Sequence, residues 1–160
     1  SRAMHVWGTS WQFIDRGVSL LTPFVCMEQR WFGLLGRSYF LMEFAEEAST
    51  LRALWGSLAP DQKQHVLLEV ASQLGTMHAA GCLHGDLKWD NLLMSSRPDG
   101  WHLGIVDLDG SRAFDHVSRQ QVEKDLGRFL KDLRKYEADS AYETTFMQCW
   151  EMCLLQKKAQ

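Results

Sequence analysis

Between residues 84 and 91 the chain packs an imidazole, two carboxylates, an ammonium and an amide into eight positions: His84-Gly85-Asp86-Leu87-Lys88-Trp89-Asp90-Asn91. Sixteen positions beyond Asn91 stands a further acid, Asp107, in Gly104-Ile105-Val106-Asp107-Leu108-Asp109-Gly110. These side-chain types suit transfer of a phosphoryl group. That reaction asks little covalent chemistry of a protein. It needs an acceptor or positioner for the attacking hydroxyl, oxygen ligands for the metal that clamps the phosphates, and a cation for developing charge. Asp86 supplies the proton acceptor. Lys88, two residues on, can reach the transferred phosphate. Asn91 and Asp107 offer the amide and carboxylate oxygens that a hard cation such as magnesium prefers.

Taken singly, each residue has an ordinary reading, an Asp after His-Gly as a turn residue and a Lys as a solvated charge. The combination and its spacing carry the specificity. His84 reads as a structural hydrogen-bonding residue, because its neighbours already cover the catalytic roles. His78 reads as core-facing. Asp107 is preferred to Asp109 as a metal ligand, since it directly follows Gly104-Ile105-Val106 at the end of a strand. Asp109 is left as a second polar contact or a capping group.

The elements that must position these groups are legible on both sides. Pro60-Asp61 opens a helix of about twenty residues, with Pro at the first helical position and an acid in the first turn. Leu67, Val70, Ala71, Leu74, Met77 and His78 form its apolar stripe, and Gly81 ends it as a left-handed cap. After Asn91, Leu92 to Met94 and Trp101 to Val106 flank a Pro98-Asp99-Gly100 turn, the pattern of a hairpin. The open ends of a hairpin lie together, so Asn91 and Asp107 should be neighbours.

Upstream, Met4, Trp7, Trp11 and Ile14 fall at helical spacing and predict one apolar face over residues 1 to 15, with Gly17 as the stop. Ser19 to Cys26 and Ser38 to Glu43 read as strands, with turns at Gly33 and Gly36. Glu43 to Ala48 is an acidic connector, equally readable as a hinge between lobes or as a surface loop. Ser49-Thr50 then opens a short helix through Leu51, Leu54 and Trp55. Downstream, Ser118 to Gln121 fits a capping box. Val122, Leu126, Phe129, Leu130 and Leu133 line one face of the helix behind it, and a last helix spans Thr144 to Leu155.

Composition bounds the class. With 160 residues, 46% apolar and 23% charged, the chain suits one soluble globular domain with a real core. A net charge of -3 gives no reason to expect a nucleic-acid surface. Cys26, Cys82, Cys149 and Cys153 form no Cys-x-x-Cys pair and read as reduced thiols of a cytosolic protein. Cys149 and Cys153, one helical turn apart, read as small core-facing residues. No apolar run reaches the length of a membrane span, and no signal-peptide pattern is present. The chain begins at Ser1 without a Met, which suggests a fragment of something longer.

His84 to Asn91 resembles the catalytic loop of the protein-kinase-like superfamily. Gly85 stands where protein kinases usually carry Arg, as is more typical of small-molecule and atypical kinases. Asp107-Leu108-Asp109-Gly110 is similar to the Asp-Phe-Gly metal motif, with Asp109 where Gly would be. A finer resemblance is to the lipopolysaccharide kinase (Kdo/WaaP) family of bacteria. Three stretches carry it: Gly33 to Glu43 leading to Thr50-Leu51-Arg52, Ile105 to Arg112, and Lys124-Asp125-Leu126-Gly127-Arg128-Phe129-Leu130.

The resemblance implies an α+β, protein-kinase-like two-lobe fold with a truncated small lobe and a mainly helical catalytic lobe. One kinase-like domain would span 1-160: residues 1-43 the remainder of the small lobe, 44-48 the hinge and 49-160 the catalytic lobe. It implies Asp86 as catalytic base assisted by Lys88, Asn91 and Asp107 as Mg2+ ligands, and backbone groups of Glu43, Phe44 and Ala45 as the hinge contacts to ATP. The acceptor would be a sugar, free or lipid-linked, of the lipopolysaccharide inner core, on the cytoplasmic side of the inner membrane with peripheral membrane contact.

The chain also departs from the full kinase pattern. It has no Gly-x-Gly-x-x-Gly, no Lys before Lys63 and no Glu in its first helix. A missing amino-terminal segment would account for this, and the 160 residues alone are expected to be weakly active or inactive. Two rivals stand beside this reading: another small-molecule or atypical protein kinase, and a non-catalytic kinase-like binding module, which the missing strand Lys favours.

Overall fold

The structure is a computed structural model and describes residues 1–156. The first helix, α1 (Arg2–Asp15), starts at Ser1, whose hydroxyl accepts from the Met4 amide at 3.2 Å. Gly17, with φ 78, ends the run as expected. The buried face differs from the one the spacing predicts. Thr9, Ser10 and Phe13 are buried, while Met4 is 46% and Trp11 38% exposed. The reason is aromatic packing outside the core. Trp7 meets Trp11 and Phe40 edge-on, with ring centroids 5.7 and 6.4 Å apart. Those contacts cover Trp7 from the side and leave Phe13 to fill the interior.

Two long antiparallel strands follow, β1 (Pro23–Trp31) and β2 (Leu34–Met42). The strand expected over Ser19 to Cys26 therefore begins later, and residues 19–22 lead into it. The turn is Phe32-Gly33, both at positive φ, the geometry that matches strand twist in a two-residue hairpin loop. Gly36 is not a turn. It lies inside β2, where the register slips between Glu28↔Ser38 and Arg30↔Leu35. A Cβ there would stand 3.3 Å from the Gln29 carbonyl, so the small residue marks an irregularity in the ladder rather than its end.

From Glu43 to Ala48 the chain turns tightly, with Glu46 N donating to Phe44 O and Ala48 N to Ala45 O. The two-residue strand β3 (Ser49–Thr50) leads into α2 (Leu51–Trp55), capped by the Thr50 hydroxyl. The long helix α3 (Pro60–Ala79) buries every residue of the expected stripe, with Val66 and Gly75 added. Gly81, at φ 76, redirects the chain into β4 (Cys82–Leu83) and on to the loop at His84.

The predicted hairpin is present as β5 (Leu92–Arg97) and β6 (Gly100–Ile105), and β3 adds to its outer edge in the order β3-β5-β6. A two-residue strand β7 (Arg112–Ala113) pairs with β4. Then come α4 (Arg119–Tyr136), with the Ser118 and Gln121 capping box formed, and α5 (Ser140–Gln156), which starts four residues earlier than expected.

The core lies among α2 to α5 and the hairpin. Trp89 sits at its centre, with ring centroids 5.1 Å from Trp55 and 5.9 Å from Phe129. Phe129 in turn stacks on Phe146 at 4.5 Å. Helices α3 and α5 approach closely at Gly75, where a Cβ would come within 2.7 Å of the Cys153 Cβ. Cys149 and Cys153 are half-buried against α3, near the Leu68 carbonyl and the Ser72 hydroxyl. All four cysteines are free thiols. No described helix is long and apolar enough to cross a membrane.

Candidate active site

The loop from His84 to Asn91 is held by its backbone, which leaves Asp86 and Lys88 free to face outward. Asp125 on α4 does most of the holding. Its carboxylate accepts from the His84 amide at 2.8 Å, the Gly85 amide at 2.6 Å and the His78 ring at 3.1 Å. One helical turn pair further along, Asp132 accepts from the Trp89 amide at 3.0 Å. The Ser111 hydroxyl donates to the His84 carbonyl at 2.9 Å. Asn91 Nδ2 donates to the Asp86 carbonyl at 3.0 Å, so the amide oxygen of Asn91 is not used in that bond.

His84 and His78 are both fully buried and both serve structure. His84 Nε2 donates to the Val106 carbonyl at 3.0 Å, while Nδ1 accepts from the Asp86 amide at 3.2 Å. That pair of bonds fixes a neutral tautomer and ties the loop to the end of β6. His78 accepts from the Trp150 indole at Nδ1 and bonds Asp125 through Nε2, which is the core-facing role expected of it.

The Asp86 carboxylate stands between two cations. Lys88 Nζ is 2.9 Å from Oδ2 and Arg128 Nε is 3.6 Å from Oδ1. The carboxylate holds the Lys88 ammonium protonated, raising its pKa, and the charge of Asp107 adds to that effect. Asp107 reaches this neighbourhood because the hairpin closes as expected: Leu92 pairs with Ile105, and Val106 N donates to Asn91 O at 3.0 Å. Asp107 is exposed and takes a left-handed backbone, φ 63, at the start of the short turn Leu108–Gly110. Asp and Asn tolerate that conformation best among residues with a Cβ. Asp109 is engaged elsewhere, in an ion pair with the Arg2 guanidinium of α1.

Asp107 and Asp109 line a cleft of about 340 Å³ whose other wall is Val6 of α1 with Phe40 and Met42 of β2. Glu43, Phe44 and Ala45 line a separate hollow of about 440 Å³, together with Glu69, Arg97 and His102. The Glu43 carboxylate turns back to accept from the Thr22 amide at 3.1 Å, a bond that holds it below the usual carboxylate range. The structure thus gathers Asp86, Lys88, Asn91 and Asp107, and it puts the connector's side chains against a different hollow. Among the described residues no three His, Cys, Asp or Glu side chains form a metal cage by themselves. Asn91 and Asp107 still fit magnesium, which uses one or two protein oxygens and completes its shell with water and phosphate.

The model of the lipopolysaccharide kinase (Kdo/WaaP) family matches residues 2–150. The chain belongs to this family. A search of curated protein sequences finds no match. Among solved structures it is similar to one described as WaaP in complex with acyl carrier protein, with a TM-score of 0.76 at 19% identity. The likeness covers 94% of this chain and 66% of that one, so the chain spans just under two thirds of that protein's length. It establishes the protein-kinase-like fold.

Within this family fold, the Gly at 85 has a local cause. Its φ is 86, and a Cβ would stand 2.7 Å from the Gly110 carbonyl. The loop and the turn after Asp107 touch there, so a side chain would force them apart. Asp125, Asp132 and Ser111 were not among the residues singled out as functional from the sequence. A signal was available: Asp125 and Asp132, seven apart, sit on the helix face shared by Val122, Leu126, Phe129 and Leu133. Two acids on an otherwise apolar face must bind something inside.

A pH dependence follows from His84. Burial lowers its pKa, against the opposing pull of the Val106 carbonyl and Asp125. The unfolded chain therefore takes up a proton at His84 near pH 6.5, while the folded chain resists it. That contribution to stability is complete above about pH 6.5 and is lost as pH falls below it. Thermal denaturation between pH 8 and pH 5 should show the decline, and His84→Gln should make it shallower. An unchanged slope in the variant would remove His84 as the cause.

Proposed function

We propose that the intact protein transfers the γ-phosphoryl group of ATP to a hydroxyl of a lipopolysaccharide inner-core sugar. The carrying observation is the Asp86 carboxylate, half-exposed between Lys88 and Arg128 on a loop whose backbone is pinned by a buried acid. A group held that way keeps its position while remaining open to an acceptor, which is what positioning catalysis needs. In this reading Asp86 orients the acceptor hydroxyl and takes its proton. Lys88 holds Asp86 in place and offers its charge to the transferred phosphate.

Asn91 and Asp107 would hold Mg2+, which when bound neutralises charge on the phosphates. Residues 1-43 act as small lobe, 44-48 as hinge and 49-160 as catalytic lobe. The hinge carbonyls of Phe44 and Ala45 are taken by the connector's own turn. The Glu43 carbonyl and the Phe44 and Ala45 amides, which that turn does not use, are the groups offered to adenine. In this reading the reaction takes place at the cytoplasmic face of the inner membrane, with peripheral contact.

The test offers labelled ATP and Mg2+ to the intact protein with inner-core oligosaccharide, with other small hydroxyl acceptors and with protein acceptors. Label in the core sugar is the expected result. Transfer only to another acceptor would assign a different kinase specificity. ATP binding without any transfer would make the protein a binding module.

A further inference from the structure

Four cations on α4 lie on one face of the helix. Lys124, Arg128, Lys131 and Lys135 follow at spacings of four, three and four, the period that stacks side chains along one stripe. All four are exposed. At 1.5 Å per residue the stripe is about 16 Å long. The acids of α4 do not neutralise it. Asp125 and Asp132 are buried on the loop backbone, and Glu123 pairs with Arg119 around the helix. Among the described residues, Lys124 and Lys131 have no ion-pair partner.

The stripe also runs alongside the active loop. Arg128 contacts Asp86, at 3.6 Å. Near the other end, the Tyr136 ring lies under both Lys135 and Arg52, and Arg52 pairs with Asp90 at 3.2 Å. No α4 residue lines the cleft at Asp107. The charge is therefore placed beside Asp86 and away from the metal-ligand side. A row of like charges in which Lys124 and Lys131 have no ion-pair partner among the described residues costs stability through self-repulsion and suits a surface that meets an anion.

We infer that Lys124, Arg128, Lys131 and Lys135 form the docking surface for acidic groups on the acceptor, an anionic oligosaccharide whose reacting hydroxyl comes to Asp86. This rests on the kinase reading above. A lipid bilayer fits less well. Membrane-surface helices insert an apolar face, and here Val122, Leu126, Phe129 and Leu133 are buried in the core. Arg128 would bridge an acceptor anion to the Asp86 carboxylate, setting the distance between the docked group and the reacting hydroxyl.

The experiment uses the intact protein and its Lys124→Gln/Lys131→Gln double variant. The probe is lipid-free lipopolysaccharide inner-core oligosaccharide, in its acidic form and after carboxylate reduction and dephosphorylation. The variant is expected to raise KM for the acidic form about threefold to tenfold, with kcat and the KM for ATP unchanged. KM for the neutralised form should be the same in both proteins. Arg134→Gln, on another face of α4 where it pairs with Glu143, should leave KM for both forms unchanged. Calorimetric binding of the acidic form without ATP should weaken in the double variant and with added salt, and it reads docking even if transfer to this acceptor fails. Equal binding of both proteins to the acidic form would overturn the inference. So would an equal KM rise for the neutralised form, or binding by the stripe to anionic but not neutral vesicles with none to the oligosaccharide.

Discussion

Asp86→Asn is expected to lower kcat of the intact protein by about 10²- to 10⁴-fold, the range for loss of a positioned general base. The expectation is sharp because the loop does not depend on this side chain. Its backbone is held by Asp125, Asp132, Ser111 and Asn91, none of which bonds the Asp86 carboxylate. The carboxylate makes only half-exposed contacts with Lys88 and Arg128. The melting temperature should therefore stay close to that of the unaltered protein while turnover collapses. Asn keeps the size and one oxygen but cannot take a proton. Labelled-phosphate transfer to the acceptor, measured beside a melting curve, checks both halves. Turnover within twofold of the unaltered protein would end the assignment of Asp86.

Asp125→Ala should have the largest effect on stability, roughly 3–5 kcal/mol, the range for removing one partner of a buried charged network. Three donors would lose their acceptor at once: the His84 amide, the Gly85 amide and His78 Nε2. His78 also bonds Trp150 of α5, so the damage would spread from the loop to the contact between α3 and α5. Asp125→Asn keeps the shape and one acceptor oxygen, and should lose less. Urea denaturation of the three proteins measures the order directly. Near-equal midpoints for Asp125→Ala and the unaltered protein would mean that water replaces the carboxylate without cost.

The same acid has a pH signature. Burial by itself pushes the Asp125 carboxyl up, but the bonds from His78, the His84 amide and the Gly85 amide together prevail and hold it below the usual range. A depressed carboxyl contributes stability that is present above its unfolded value near 3.9 and is lost as pH falls below that. This acid limb lies well below the one from His84, so the two are separable. Asp125→Asn should flatten the lower limb and leave the decline near pH 6.5 in place.

Local chemistry was readable along the chain wherever one residue type has few alternatives. The Pro60 start, the Gly81 stop, the turn at Pro98-Asp99-Gly100 and the Ser118 capping box each reflect backbone constraints satisfied within a few residues. The long apolar stripe of α3 and the polar loop after it were legible for the same reason, and the wider protein-kinase-like resemblance rested on that loop. The hairpin was the single long inference, and it held because a short turn leaves the two strand ends no freedom to separate.

What the chain alone could not show was which face wins when several elements compete for it. Met4 and Trp11 had the right spacing for a core, yet the interior beside α1 was filled by Phe13, and Trp7 found Phe40 on a neighbouring strand. Gly36 looked like a turn because its role, a slip in the ladder against Gln29, depends on the partner strand. Asp125 and Asp132 lie 40 or more positions from the backbone groups they bind. Their value comes from burial against a loop that only the folded chain brings near. The residues that could do the chemistry were set by sequence. Their rigidity, and the row of cations beside them, were set by α4 packing against that loop, because a buried acid can anchor backbone amides only after tertiary structure has excluded the water that would otherwise serve them.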